Sequence, residues 1–284
     1  MSPEREDASP VQKGLTSQPE KAQLQSGISG AGQVARNVQN EVQTARRPWY
    51  YTLSTARFLL ILYLVLLALF GGLAFFVHVH PILPVDIAIT QEFQENQSPW
   101  LRTFMVAVSY LGNVLWVFIG LIALTVAAFW VFRLRLEALT IAFVCVTSSL
   151  LNVLVKLLIN RPRPAQPLVL VLQSAAGQSF PSGHVMSYVA YWGLLFTFCV
   201  ILFHGRHWWR TALVIISGLF IVLVGPSRIY LGDHWASDVL GAYLLSGLWL
   251  WLCLWIYTKL KARHILALPG TIKTVENREA PATH

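Results

Sequence analysis

Charge is what this chain of 284 residues has least of: Asp, Glu, Lys and Arg make up only 12% of it. An ordinary globular protein carries about a quarter. That shortage, with a hydrophobic share of 55% and a mean hydropathy of +0.56, excludes a typical water-soluble domain. Acidic residues are scarcer still, since Asp233 and Asp238 are the only ones between Glu137 and Glu276. Cysteine is nearly absent. Cys145, Cys199 and Cys253 all lie in apolar runs and match no metal-ligand spacing, so they read as small core hydrophobes.

What the chain does have is apolar runs long enough to cross a bilayer, which takes about 20 residues of helix. They predict an all-α integral membrane protein with six spanning helices, at 57–77, 113–132, 138–159, 182–203, 211–230 and 235–257. The helices would form a bundle with the active site at one membrane face. An acidic, helix-breaking loop with Pro81, Pro84, Asp86, Glu92 and Glu95 follows the first span. Residues 99–111 mix Trp100 and Phe104 with Arg102, which suits a short helix lying in the interface. The expected organisation is a polar, disordered tail at 1–47, a membrane domain at 48–264 and a short polar tail at 265–284. The N-terminal tail has too little apolar surface to offset its ordering entropy. At most it would hold a short amphipathic helix at 34–45.

The net charge of +8 would suit nucleic acid in a soluble chain. Here the basic residues gather at the ends of apolar runs, which fits membrane orientation instead. Six spans put both termini on one side, together with Arg46, Arg47, Arg57, Arg133, Arg135, Arg206, Arg210, Lys259, Lys261 and Arg263. The positive-inside rule makes that side cytoplasmic. Lys156, Arg161, Arg163, His184, Arg228 and His234 fall on the other face, against that trend, and a bound anion is the simplest reason for them.

Three stretches of that face carry the chemistry. Lys156 is followed after six residues by Arg163-Pro164; Pro181-Ser182-Gly183-His184 opens a helix; Ser227-Arg228 is followed by His234 and Asp238. A helix start presents free N–H groups and a positive dipole end, both suited to an anion. Ser182 adds a hydroxyl, and Gly183 lets the backbone come close to a ligand. On a helix His234 and Asp238 would share a face, so that the carboxylate fixes the tautomer and leaves the other ring nitrogen free to act.

These segments resemble the three signature motifs of the type 2 phosphatidic acid phosphatase (PAP2) superfamily: Lys, six residues, Arg-Pro; Pro-Ser-Gly-His; and Ser-Arg, five residues, His, three residues, Asp. All three occur in order between Lys156 and Asp238 without departure. The resemblance implies that His234 attacks phosphorus to give a phosphohistidine, with Asp238 orienting its ring. It makes His184 the general acid and then the base for water, and has Lys156, Arg163, Ser182, Gly183 and Arg228 hold the phosphoryl oxygens. No metal or other cofactor is implied, and no carboxylate cluster suited to Mg²⁺ stands among the motifs. The substrate would be a lipid phosphate or diphosphate in the bilayer, such as phosphatidic acid, phosphatidylglycerol phosphate or undecaprenyl diphosphate, its tail in a groove open to the membrane.

Other residues read more plainly. Arg161 lies outside the motifs and reads as a contact to lipid phosphate, and Asp233 as a cap for the last helix. His78 and His80 share the active face but match no motif. A phosphotransferase using the same intermediate and an anion transporter remain as alternative functions.

Overall fold

The computed structural model describes residues 49–203 and 208–266; the expected N-terminal tail, the 34–45 helix, Arg206 and all but the first two residues of the expected C-terminal tail lie outside the described residues. The described residues form eight helices and no strand: α1 Trp49–Val79, α2 Pro84–Phe93, α3 Pro99–Asn113, α4 Leu115–Val131, α5 Arg135–Ile159, α6 Gly183–Ile201, α7 Trp208–Tyr230 and α8 Ala236–Leu266. By its contacts the chain divides within α1, at Ile61. The described part of the first unit is the beginning of that helix, and everything below concerns the second unit, which starts at Leu62.

Five of the helices are long and apolar enough to cross a membrane. The span expected at 113–132 differs: α4 alone is too short, and a sixth crossing exists only if α3 and α4, which meet at Val114 with a bend of 66°, count as one span. α3 is the short helix expected at 99–111. The break keeps Gly112 and Asn113 at the corner, where a Cβ on Gly112 would overlap the ring of His184. Glycine is required here because the α3 backbone touches that ring. Tyr188 fastens the same corner, donating to the Val108 carbonyl (2.7 Å) and accepting from the Gly112 N–H (3.2 Å).

The stretch expected as an acidic loop contains α2. Pro84 sits at its start, where a missing N–H costs nothing, and Asp86 lies in its first turn, near the positive end of the dipole. Beyond α2, the Gln94 side chain pairs with both backbone groups of Leu170 (2.7 and 3.0 Å) and donates to the Tyr230 carbonyl. One amide thus ties three segments of the site face together.

The spanning helices show the two-sided pattern that a lipid environment imposes. On α5, Leu139, Phe143, Val146, Leu150, Val153 and Leu157 are exposed, while Ala138, Ile141, Val144, Cys145, Ser148, Asn152 and Val155 are buried. Each set recurs at three- and four-residue spacing, so one face meets neighbours and the other is apolar and outward. At the end of α5 remote from the site, Glu137 is buried and accepts from Tyr257 and Lys261 of α8, both at 2.7 Å.

α7 contains Pro226, which lacks the N–H that continues a helix. Tyr243 of α8 mends the ladder there: its hydroxyl accepts from the Gly225 N–H (3.2 Å) and donates to the Ile221 carbonyl (2.6 Å). A side chain inserted into a helix in this way sets its course, and here it delivers Ser227 and Arg228 to the site. Tyr243→Phe leaves a part-buried donor and acceptor unmatched and should lower stability by about 1 kcal/mol. Reversible unfolding in mixed detergent micelles measures this; an unchanged unfolding midpoint would contradict the role given to the hydroxyl.

Candidate active site

The site lies where the loop at 160–182, the start of α6, the end of α7 and the loop at 231–235 meet, with the corner of α3 and α4 against them. His234 stands in the short loop between α7 and α8 and is buried. Asp238 is the third residue of α8, so the expected shared helix face is not how the two meet. They approach across the helix start instead, Nδ1 of His234 lying 3.6 Å from Oδ2 of Asp238. Ser179, which the sequence gave no reason to single out, bridges them. Its hydroxyl lies 3.4 Å from His234 Nδ1 and donates to Asp238 Oδ2.

Asp238 also accepts from the Trp235 N–H just before α8 (2.9 Å), the reciprocal half of a capping box. Asp233 is therefore not the cap it was expected to be. A second carboxylate, Asp86 of α2, takes the Ser237 N–H of the same first turn (2.9 Å). Two acids, one within α8 and one from α2, thus satisfy two N–H groups at the start of α8.

Arg161 joins these two acids. Only 1% exposed, it donates to Asp238 Oδ1 at 2.6 Å and Asp86 Oδ2 at 2.7 Å, and its Nε donates to the Pro81 carbonyl at 2.8 Å. It also reaches the Ser237 hydroxyl at 2.7 Å. The expectation of a lipid contact is overturned, because this guanidinium is fully enclosed and its fork is filled by protein acceptors. It is a planar five-donor group matched to two carboxylates.

On the other side of His234 the residues are basic. Arg163 Nη1 lies 3.3 Å from His234 Nε2 and donates to both the carbonyl and the carboxylate of Asp233, at 2.9 Å each, while its Nε donates to the Gly177 carbonyl. Arg228 donates from Nη2 to the other Asp233 oxygen and from Nη1 to Asn113 Oδ1 (3.2 Å). Asn113 also bonds Nε2 of His184 at 2.8 Å, so this amide, expected only to start a span, orients two of the motif residues. Lys156 gives two bonds to the loop carbonyls of Gln178 (2.5 Å) and Ser179 (3.3 Å). It pins the loop that holds Ser179, and one of its three protons is left over.

Ser182 precedes α6 and makes no side-chain cap, and its buried hydroxyl has no partner among the described residues. Arg228 Nε is buried without one as well. Asn152 donates to the Pro181 carbonyl (3.1 Å), and a Cβ on Gly183 would lie 3.2 Å from Asn152 Oδ1, so α5 presses the helix start from behind. The motif residues are thus brought to one place, with Lys156 turned partly to the loop. His78 bonds the Ile159 carbonyl and lies outside the cluster.

Burial pushes the His234 imidazole well below its ordinary value of 6.5; Asp233 opposes this, and Arg163, Lys156 and Arg228 add to it. The ring is neutral at physiological pH, with an available lone pair. Burial works to raise Asp233, but the Arg228 and Arg163 guanidiniums on its two oxygens outweigh it and hold that carboxyl below its usual range. One ligand atom each from His184, Asp233 and His234 lie within 4.8 Å of one another, a donor set of the kind that binds transition metals rather than Mg²⁺. The two guanidiniums against Asp233 repel a cation there, so local charge favours an anion.

Arg161→Met would leave two buried carboxylates without their cation. Such a change should destabilise the protein by about 3–5 kcal/mol, read from the same unfolding equilibrium. A loss below 1 kcal/mol would show that the pair is not what holds α2 and the loop onto α8.

The PAP2 superfamily model matches residues 137–262. Phosphatidylglycerophosphatase B of Bacillus subtilis (strain 168) is 33% identical over 177 residues, covering 61% of this chain and 84% of that protein. Undecaprenyl-diphosphatase BcrC of the same organism is 32% identical over 130 residues, 44% of this chain and 61% of that one. A solved transmembrane PAP2 type phosphatidylglycerolphosphate phosphatase from Bacillus subtilis has a TM-score of 0.59 at 32% identity, covering 69% of this chain and 96% of its own. With its motif residues gathered at one end of a helical membrane bundle, the chain belongs to the PAP2 superfamily.

Proposed function

We propose that this chain is a membrane lipid phosphatase that releases phosphate from a lipid phosphate or diphosphate through a phosphohistidine. The observation that carries the reading is the pair of buried, unpartnered donors, Ser182 Oγ and Arg228 Nε, in the same cluster as His234 and the α6 N-terminus. Buried donors are almost always satisfied, and one without a partner calls for a ligand that supplies it. Phosphoryl oxygens have that chemistry.

His234 Nδ1 faces Ser179 and Asp238, so Nε2, on the side of Arg163, is the attacking atom. It forms an N–P bond as the bond from phosphorus to the lipid oxygen breaks. His184 protonates that oxygen, then takes a proton from the water that hydrolyses the N–P bond. Arg163, Arg228, Lys156, Ser182 and the Gly183 N–H hold the phosphoryl oxygens throughout, acting as fixed dipoles and charges in a site shielded from water. Asp238, kept in place by Arg161 and Ser179, balances the charge that forms on His234. This fixed positive charge does what a metal ion does in other phosphatases, so the reaction is expected to proceed in chelator.

A cavity of about 630 Å³ between α4 and α5 suits the lipid tail. Its lining includes Leu115, Phe118, Ile122, Cys145 and Ser149. Ser187 also lines it, one turn along α6 from His184, so a chain in it would leave its headgroup at the site. The resemblance to phosphatidylglycerophosphatases spans more of the chain than that to the undecaprenyl-diphosphatase, which makes phosphatidylglycerol phosphate the first substrate to test.

The cations at the end opposite the site, Arg133, Arg135, Lys259 and Lys261, support cytoplasmic termini and a site on the outer face. A cysteine introduced for exposed Ala175, with the native three buried, should react with a membrane-impermeant maleimide in intact cells. Labelling only after lysis would reverse the orientation.

Purified protein in detergent with excess chelator should release phosphate from lipid monophosphates and diphosphates. His234→Ala should lower that rate by at least a thousandfold while melting like the wild type. Equal rates in the two proteins, or release only when metal is restored, would refute the mechanism.

A further inference from the structure

The phosphoryl anchors already hold an anion, and it belongs to the protein. Asp233 is buried, and its two carboxylate oxygens are shared between Arg163 and Arg228, one on each. The second oxygen lies 3.7 Å from Nε2 of His234, the atom assigned to attack. A carboxylate between two guanidiniums and facing the nucleophile has the placing and charge of a phosphoryl group.

A scaffold role for Asp233 would be to hold the arginines in position, but each has other tethers. Arg163 is also bound by the carbonyls of Gly177 and of Asp233 itself, and Arg228 by Asn113. Rotation of the Asp233 side chain would free both forks while these bonds keep the guanidiniums where they are.

Resting on the reading of the site as a phosphoryl site, we propose that Asp233 is an internal competitor: its carboxylate occupies the Arg163–Arg228 fork between turnovers and is displaced by the phosphoryl group. Two consequences follow from the shared charge. The fork is never left as a buried and a half-buried cation without a counter-charge, a state that is expensive in a low-dielectric surrounding. Inorganic phosphate, the second product, has to compete with a tethered carboxylate at high effective concentration, so it leaves readily. The cost is weaker binding of the substrate headgroup.

The test is binding of inorganic phosphate to the purified full chain in detergent, by calorimetry and by product inhibition, for wild type, Asp233→Asn and Asp233→Ser. Asparagine keeps the size and an acceptor for Arg163 but removes the charge; serine removes the reach as well. Both variants should bind phosphate at least tenfold more tightly than wild type. Their KM for the lipid should fall, and kcat should fall too as phosphate release becomes slow. Wild type that binds phosphate, beside variants that bind it equally or more weakly, would overturn the competitor role and leave the phosphatase reading intact. Absence of phosphate binding in all three proteins would remove the phosphoryl site itself and this inference with it. Loss of folding in both variants would place the carboxylate in the scaffold and equally overturn it.

Discussion

One guanidinium, buried between two carboxylates, is the constraint on which the site depends. Arg161 links Asp86 of α2 to Asp238 of α8 and gives four hydrogen bonds to protein acceptors. Removing three charges from water costs several kcal/mol per ion, and only close, well-formed hydrogen bonds repay that. The demand for geometry is what makes the group useful. Arg161 can be satisfied only if α2, the loop after α5 and the start of α8 all sit where they do. Asp238 is thereby fixed beside Ser179 and His234, and its remaining lone pairs complete the helix start at Trp235.

The same economy of polar groups recurs across the face. Gln94, Asn113, Tyr188 and Tyr243 each bind backbone or side-chain groups from segments far apart in the chain. In a lipid-facing bundle the helices gain little from hydrophobic burial against one another, because lipid tails are equally apolar. Small residues and side-chain hydrogen bonds therefore settle how they pack. Gly112 against His184, and Tyr243 where Pro226 interrupts α7, are such settlements. They sit beside the proposed site and set the aim of His184 and Arg228.

Electrostatically the site is divided by the His234 ring. One edge faces a carboxylate and a hydroxyl, which hold the ring and can balance a positive charge on it. The other edge faces Arg163, with Arg228 and Asp233 beyond. A neutral imidazole, kept so by burial, lies between an internal anion and a cationic pocket. That polarity supports the role proposed for His234, a nucleophile that becomes positive only when it has taken a phosphoryl group.

The sequence alone determined the helical membrane class, the position of most spans, and the eight motif residues that meet at one face. Those features follow from local quantities, namely apolar runs, their length against a bilayer, and residue types at fixed spacing. It misplaced whatever depends on partners distant in the chain. Arg161 looked like a lipid contact because nothing near it in sequence shows that Asp86, 75 residues earlier, and Asp238 enclose it. Asp233 looked like a cap because it precedes a helix, whereas Asp86 and Asp238 hold that helix start and Asp233 pairs with two arginines. Ser179 and Asn113 carry no motif at all, and α2 was hidden by prolines that read as breakers. Which buried ion finds which counter-ion is a question of three-dimensional proximity, and in a low-dielectric interior that proximity outweighs every local preference.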